Sequence, residues 1–168
     1  MGCGGGLFGY FIVLLSEMQV TFLDSNPEAI EICRKRGTDW GLDDRCGYMV
    51  SDVHNMKDFA DNSFDLVVSR GSIVFWGEGE ELVQAFHEIR RILAPGGLAM
   101  IGGSLGTPRM REAITSKMKS KNPDWRPPES SCGGCVSGYD RKHQILLDAG
   151  IQNTAKVNDK GHWILLRK

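Results

Sequence analysis

Gly2-Cys3-Gly4-Gly5-Gly6, the apolar run from Leu7 to Leu15, and Val20-Thr21-Phe22-Leu23-Asp24 together decide how this chain folds. They read as a glycine loop, a helix that starts on it, and a strand that ends in an acid. Glycines at alternate positions (Gly2, Gly4, Gly6) let the backbone turn sharply and place no Cβ between main chain and ligand. An acid about 20 residues further on can accept hydrogen bonds from a ribose diol. The glycine loop is a weak signal by itself. In this order, loop, helix, strand and acid point to an adenosine-containing cofactor.

The chain outward from that stretch keeps the same rhythm. Helix one is expected over 7–17 and, being apolar almost all round, is expected to lie buried on the sheet. Ser25-Asn26-Pro27 caps a second helix, with Glu28 and Glu31 in its early turns, Ala29, Ile30 and Cys33 on its inner face, and Gly37 at its end. Residues 47–52 read as a strand that also finishes in an acid. Asp61-Asn62-Ser63 is a turn, and 64–69 is nearly continuous in apolar residues, as buried parallel strands are. Leu82, Ala85, Phe86, Ile89 and Ile92 give 79–93 helical spacing. Pro95-Gly96-Gly97 stops that helix, and 98–101 is another strand. A polar helix is expected over 106–121, loop over 122–137, and a helix over 140–149 closed by Gly150. Two strands near 151–157 and 162–166 should form a closing hairpin around Asn158-Asp159-Lys160-Gly161. Alternating strands and helices imply an α/β fold, doubly wound on a mainly parallel sheet, with an antiparallel hairpin at its edge. We expect one domain over 1–168, with 1–103 as its cofactor-binding half and 104–168 supplying the acceptor-side helix, loop and hairpin.

Composition limits the function. The chain has 168 residues, 41% hydrophobic and 24% charged, with a formal net charge of −1, which suits a globular protein with a core of its own. There is no basic field, so no large nucleic-acid or anionic-membrane footprint is expected. Five scattered cysteines (Cys3, Cys33, Cys46, Cys132, Cys135) fit a reducing cytoplasm. The apolar run 7–15 has no preceding positive charge and is too short to span a bilayer. Gly6 stands where a myristoylation signal wants Ser or Thr.

Four segments in order make the chain resemble the class I S-adenosylmethionine-dependent methyltransferases, and within them the small-molecule type 11 group. These are GCGGG; VTFLD followed by SNPEAIEICRKRG; SDVHNMKDFADNSFDLVVSRGSIVFW; and HEIRRILAPGGLAMIGG. They cover residues 1 to 103, and the pairing of FDLVVS with an RILxPGG helix end is far more specific than any glycine loop. The resemblance implies a Rossmann-like sheet and S-adenosylmethionine as cofactor. It also implies that Gly2, Cys3, Gly4 and Gly6 border the methionine part, that Asp24 holds the ribose hydroxyls, and that Ser25 and Asn26 lie near the adenine face. Asp52 would receive the adenine amino group, Val53 would offer its backbone N–H, and His54 would contact the cofactor. Ser69 and Arg70 would sit beneath the sulfonium. The acceptor pocket would draw on Arg70, Ser72, Phe75, Trp76, Ser104, Arg109 and Trp125, with Arg70, Trp76, Arg109 and Trp125 as the substrate-binding set.

Plainer readings stand beside these. Asp24 also reads as a solvated strand end, Asp52 as the cap of the turn at His54-Asn55, Arg70 as one half of an internal ion pair, and Trp76 as a packing anchor. His54 and His87 qualify as bases by chemistry alone, so no catalytic residue is assigned. Cys132-Gly133-Gly134-Cys135 is half of a zinc site or a thiol pair; a loop over the acceptor side is the simpler reading, and no metal is expected. Ser69-Arg70-Gly71-Ser72 stands where many nucleic-acid amino methyltransferases carry Asn/Asp-Pro-Pro-aromatic. The acceptor is therefore expected to be a small molecule and not a nucleic acid or membrane.

The chain also departs from the family. It starts where the family has already completed a first strand, normally central in the sheet between the strands corresponding to 20–24 and 64–69. The acid two positions before the first glycine is missing with it. A fragment or misassigned start is expected, or another segment or chain filling the slot. The polypeptide alone is expected to bind cofactor weakly and to aggregate, its two exposed edges collapsing onto each other. Two further functions remain open: a methyltransferase-like binding module without activity, and a nicotinamide- or flavin-binding protein. Leu7 stands against the latter, at the place of the third glycine of G-x-G-x-x-G.

Overall fold

The structure is a computed structural model describing residues 1–73, 79–103, 108–124, 135–158 and 163–168, with backbone alone at 108–111, 114 and 135–141. Helix α1 (Leu7–Leu15) leads to strand β1 (Val20–Asp24) and helix α2 (Pro27–Asp39). A single 3-10 turn, Asp43–Arg45, precedes strand β2 (Cys46–Val50), and strand β3 follows at Phe64–Arg70. Helix α3 (Gly79–Ile92) runs directly into strand β4 (Leu93–Gly102). Helices α4 (Pro108–Lys121) and α5 (Cys135–Asp148) and strands β5 (Ala155–Val157) and β6 (Trp163–Arg167) complete the described elements.

The described strands form two sheets. β1 and β2 pair in parallel, Val20 opposite Cys46 through Asp24 opposite Val50. The second sheet has the order β3-β4-β6-β5, with β3 and β4 parallel and β6 antiparallel to both of its neighbours. The closing antiparallel hairpin is therefore present. The edges of β1 and β3 have not collapsed onto each other: neither pairs with the other, and a cavity of about 620 Å³ lies between them, lined from Val20 to Leu23 on one side and from Phe64 to Val68 on the other.

Local chemistry explains the elements and their departures from expectation. Asn26 Oδ1 accepts from the Glu28 N–H at 2.9 Å, and Pro27 opens α2. That helix does not stop at Gly37 but runs on to Asp39. Gly37 is a packing glycine, because a Cβ there would collide with the Tyr48 hydroxyl. Strand β2 ends at Val50, so Asp52 lies in the turn beyond the strand and not on it. β4 begins at Leu93, which pairs with Phe64 before Pro95-Gly96-Gly97 interrupts the ladder and Leu98 resumes it opposite Leu66. α5 starts at Cys135, inside the stretch expected as loop.

Two apolar clusters result. The larger joins Val67, Ala99, Ile101, Ile164 and Leu166 of the second sheet to Phe86, Ile89 and Ile92 of α3 and to Leu146 of α5. The smaller holds Tyr10, Val13, Phe22, Ile30, Cys33 and Leu42. Phe22 and Leu23, adjacent on β1, point to opposite faces and enter different clusters. Helix α1 is only partly covered: Tyr10 and Val13 are buried, whereas Phe11 is 59% and Leu15 83% exposed. An all-round apolar sequence therefore does not bury this helix, since it has sheet on one side only.

Candidate functional site

The carboxy ends of β1 and β2 meet the glycine loop at one place. Asp24 ends β1, and its carbonyl accepts the Ser51 N–H at 3.1 Å, which holds the chain after β2 beside it. Its carboxylate takes the Gly4 N–H on Oδ2 at 2.8 Å and the Asn26 N–H on Oδ1 at 3.0 Å. The strand end is thus no idle solvated acid. Each oxygen keeps a further lone pair for a ligand hydroxyl. Asp52 follows on the neighbouring strand end. Its Oδ1 accepts the His54 N–H at 2.9 Å and lies 2.6 Å from His54 Nδ1. Those bonds hold its carboxyl below the usual carboxylate range, against the opposing effect of partial burial. The turn-capping reading of Asp52 is correct geometry, and it still leaves Oδ2 without a protein partner among the described residues.

The loop is held from behind. Gly2, Gly4 and Gly6 all have positive φ, at 58°, 49° and 74°. A Cβ on Gly6 would come within 2.6 Å of Cys33 Sγ, whereas one on Gly4 would meet nothing within 4 Å. Gly6 is therefore needed for packing, and Gly4 faces open space beside Asp24. Cys33 Sγ lies 3.2 Å from the Gly4 carbonyl and 3.7 Å from Cys3 Sγ, and the Arg36 guanidinium donates to the Gly5 carbonyl. Burial, with the facing thiol after it, pushes Cys3 up to about 12, and burial raises Cys33 against the lowering effect of its bond to Cys3, so both stand as neutral thiols. Arg36 was not recognised from sequence; its place one turn beyond Cys33 on the inner edge of α2 was the available signal.

At the end of β3, Ser69 is 1% exposed and its hydroxyl has no hydrogen-bond partner. A buried, unpartnered hydroxyl at the carboxy end of β3 is a group that a ligand there could satisfy. Arg70 is exposed, with its guanidinium 6.0 Å from the centre of the Phe8 ring; among the described residues no acid pairs with it. Gly71 donates to the Gly102 carbonyl at 2.7 Å, tying together the ends of β3 and β4. The turn carrying Asp52 and Val53 is anchored by Arg91, which donates to the Met56 and Phe59 carbonyls at 2.8 Å each, to Asp61 at 2.7 Å and to Glu88. Phe75, Trp76, Ser104, Trp125 and Cys132 lie outside the described residues, as does the side chain of Arg109. Among the described residues no three His, Cys, Asp or Glu side chains group as metal ligands.

Gly4, Asp24 and Asp52 thus fit an adenosyl ligand: hydroxyl acceptors on one strand end, an acid on the next, and a bare loop between. Residues 1–101 match the methyltransferase domain family. The chain belongs to that family. It is a class I S-adenosylmethionine-dependent type, of the type 11 group, and the cofactor is S-adenosylmethionine. A solved structure named as an S-adenosyl-L-methionine-dependent methyltransferase of Methanococcus maripaludis is 35% identical, with a TM-score of 0.82 over 99% of this chain and 74% of that one. The Probable tRNA methyltransferase 9B of Mus musculus is 34% identical over 101 residues, 60% of this chain and 20% of the relative. Sterol 24-C-methyltransferase erg6 of Aspergillus fumigatus is 33% identical over 98 residues, 58% of this chain and 25% of the relative. The chain therefore spans about a fifth to a quarter of the curated relatives it matches. No described helix is long and apolar enough to cross a membrane.

Proposed function

We propose that this chain binds S-adenosylmethionine across the ends of β1, β2 and β3 and transfers its methyl group to a small-molecule nucleophile. The observation that carries the reading is the Gly4 N–H held 2.8 Å from Asp24 Oδ2, which fixes a bare loop against a carboxylate with lone pairs to spare. Asp24 takes the ribose hydroxyls, with Ser25 and Asn26 along the adenine face. Asp52 accepts the adenine amino group, Val53 supplies a backbone N–H, and His54 contacts the cofactor and keeps the Asp52 carboxyl ionised. Gly2, Cys3 and Gly6 shape the loop beside the methionine part, and Ser69 sits with Arg70 beneath the sulfonium.

A sulfonium methyl is already activated, so the cofactor supplies the electrophile and the protein supplies position and dryness. Asp24 and the loop hold the adenosyl end, and Arg70 with the acceptor-side residues Trp76, Arg109 and Trp125 orients the nucleophile behind the methyl. An arginine there suits an anionic acceptor. A tRNA acceptor is the second reading, supported by the name of the Mus musculus relative. A sterol methyltransferase matches a similar length at similar identity, so that shared stretch carries the cofactor and not the choice of acceptor. The net charge of −1 favours the small molecule, because tRNA binding draws on many phosphate contacts.

Calorimetric titration of S-adenosylhomocysteine into the chain and into Asp24→Ala tests the cofactor site. Saturable binding by the parent chain and a loss of about tenfold or more in the variant are expected, two charge-assisted hydrogen bonds being removed. Equal binding by both would sink the assignment. Radiolabelled methyl transfer to a metabolite extract and to a tRNA pool, run side by side, separates the two acceptors.

A further inference from the structure

Under the glycine loop two thiols face each other. Cys33 stands in the middle of α2, fully buried, and its carbonyl accepts the Tyr10 hydroxyl at 2.5 Å, so the helix side of the pair is fixed. Cys3 belongs to the loop, is partly exposed, and is flanked by Gly2 and Gly4, both in the left-handed region. The two Sγ atoms lie 3.7 Å apart, and the Cys33 thiol also donates to the Gly4 carbonyl at 3.2 Å. A disulfide needs its sulfurs about 2.0 Å apart, so the pair must close by roughly 1.7 Å. The packed helix has little room to give, whereas a run of glycines moves easily. The Gly4 N–H sits on Asp24 Oδ2 at 2.8 Å, so any such movement of the loop is felt at that carboxylate.

We propose that Cys3 and Cys33 are a reversible disulfide site that controls occupancy of the Gly4–Asp24 corner, with a small disulfide such as oxidised glutathione as its co-reactant. The exchange starts at Cys3, because Cys33 is fully covered. The Cys3 thiolate attacks one sulfur of glutathione disulfide, forms a mixed disulfide, and releases a glutathione thiolate that takes up the proton Cys3 has lost. Cys33 then gives up its proton, attacks the Cys3 sulfur and expels the second glutathione, which takes that proton. One protein disulfide forms, and one glutathione disulfide is reduced to two thiols. Since both cysteines are neutral at rest, the first step draws on a small thiolate fraction, and the site follows the surrounding thiol balance slowly. Oxidation removes the S–H that Cys33 donates to the Gly4 carbonyl and draws Cys3 toward α2. The peptide joining Cys3 to Gly4 swings with it, and the Gly4 N–H leaves Asp24. The effect on S-adenosylmethionine rests on the binding site proposed above, whereas the disulfide and the lost Gly4 bond do not.

The test equilibrates the full chain in glutathione buffers of graded oxidised-to-reduced ratio, then alkylates and digests it with trypsin for mass spectrometry. Both cysteines fall in one tryptic peptide, Met1–Arg34. In the oxidising buffers that peptide should lose two hydrogens and take up no alkylating agent. Amide exchange at Gly4 should quicken about tenfold or more in the oxidised chain, its bond to Asp24 having gone. Affinity for S-adenosylhomocysteine by calorimetry should fall by about tenfold or more, and dithiothreitol should restore both. Cys33→Ser and Cys3→Ser should each abolish the redox response, whereas Cys46→Ser, on β2, should keep it. Full alkylation of Cys3 and Cys33 in the most oxidising buffer overturns the proposal. So does a disulfide that leaves Gly4 exchange unchanged, or equal ligand affinity in the two redox forms. A reduced chain that does not bind S-adenosylhomocysteine overturns the cofactor site instead, and mass and exchange then still decide the thiol site.

Discussion

Asp24 and Gly4 make opposite predictions for stability and for binding. A Cβ on Gly4 meets no atom within 4 Å, so Gly4→Ala costs only the strain of its left-handed backbone, about 1 kcal/mol. The added methyl projects into the space assigned to the ligand, and S-adenosylhomocysteine affinity should fall far more than thermal stability. Gly6→Ala should do the reverse, lowering the melting temperature by packing a methyl against Cys33 Sγ. Differential scanning fluorimetry with and without ligand reads both. Asp52 supplies a pH signature: its carboxyl is held below the usual range by the His54 hydrogen bonds. Cofactor affinity that depends on the ionised carboxylate should stay level through neutral and mildly acidic pH and decline only as pH drops through the depressed value. His54→Ala should move that decline upward. At this scale the sequence was informative where a residue's neighbours lie near it in the chain, as with Asn26 capping Glu28 or Asp52 capping His54. The Arg36 contact and the orphaned Ser69 hydroxyl came from packing across elements, which no local pattern encodes.

Among the elements, α3 and the turn after β2 are joined by one half-buried polar clamp. Glu88 accepts the Met56 N–H at 2.8 Å and two bonds from Arg91, which itself donates to two carbonyls of the same turn. Arg91→Met should cost about 1–2 kcal/mol in urea unfolding, because several part-buried acceptors lose a charged donor. The Glu88 carboxyl is held below its usual range by Arg91 first and by the Met56 N–H after it. A depressed acid contributes its stability above its unfolded value, near 4.3, and loses it as pH falls through the folded one. Stability should therefore hold through mildly acidic pH and decline only below the unfolded value, as pH falls toward the depressed folded one, and Glu88→Gln should be less stable at neutral pH with a flatter acid limb. Helical spacing in 79–93 identified α3 from sequence with its buried face correct. The periodicity could not foretell that Arg91, on the polar side of that helix, would turn back onto the preceding loop.

Over the whole molecule, the order of strands and helices up to β4 and the closing hairpin were legible, because apolar runs, turn residues and caps are local signals. The two-sheet arrangement was legible only as a missing neighbour, and the open cleft in place of collapsed edges required coordinates. The same arrangement divides the apolar interior unequally: among the described residues, six are buried on the glycine-loop side against twenty in the larger cluster. Amides of α1, β1 and α2 should accordingly exchange faster than those of β3, β4 and β6, measurable residue by residue by nuclear magnetic resonance. Phe86→Ala, in the larger cluster, should cost about 3–5 kcal/mol, whereas Phe11→Ala on the open helix face should cost little.

Because the Gly4–Asp24 hydrogen bond belongs to the thinner half, whatever occupies that corner tightens the least protected portion of the chain. Ligand saturation should then raise the melting point by more than the second sheet alone would register, turning occupancy into a determinant of how long the polypeptide survives proteolysis. Trypsin digestion with and without S-adenosylhomocysteine would register this as delayed cutting after Lys35 and Arg36, with cleavage in the β4–β6 half unchanged.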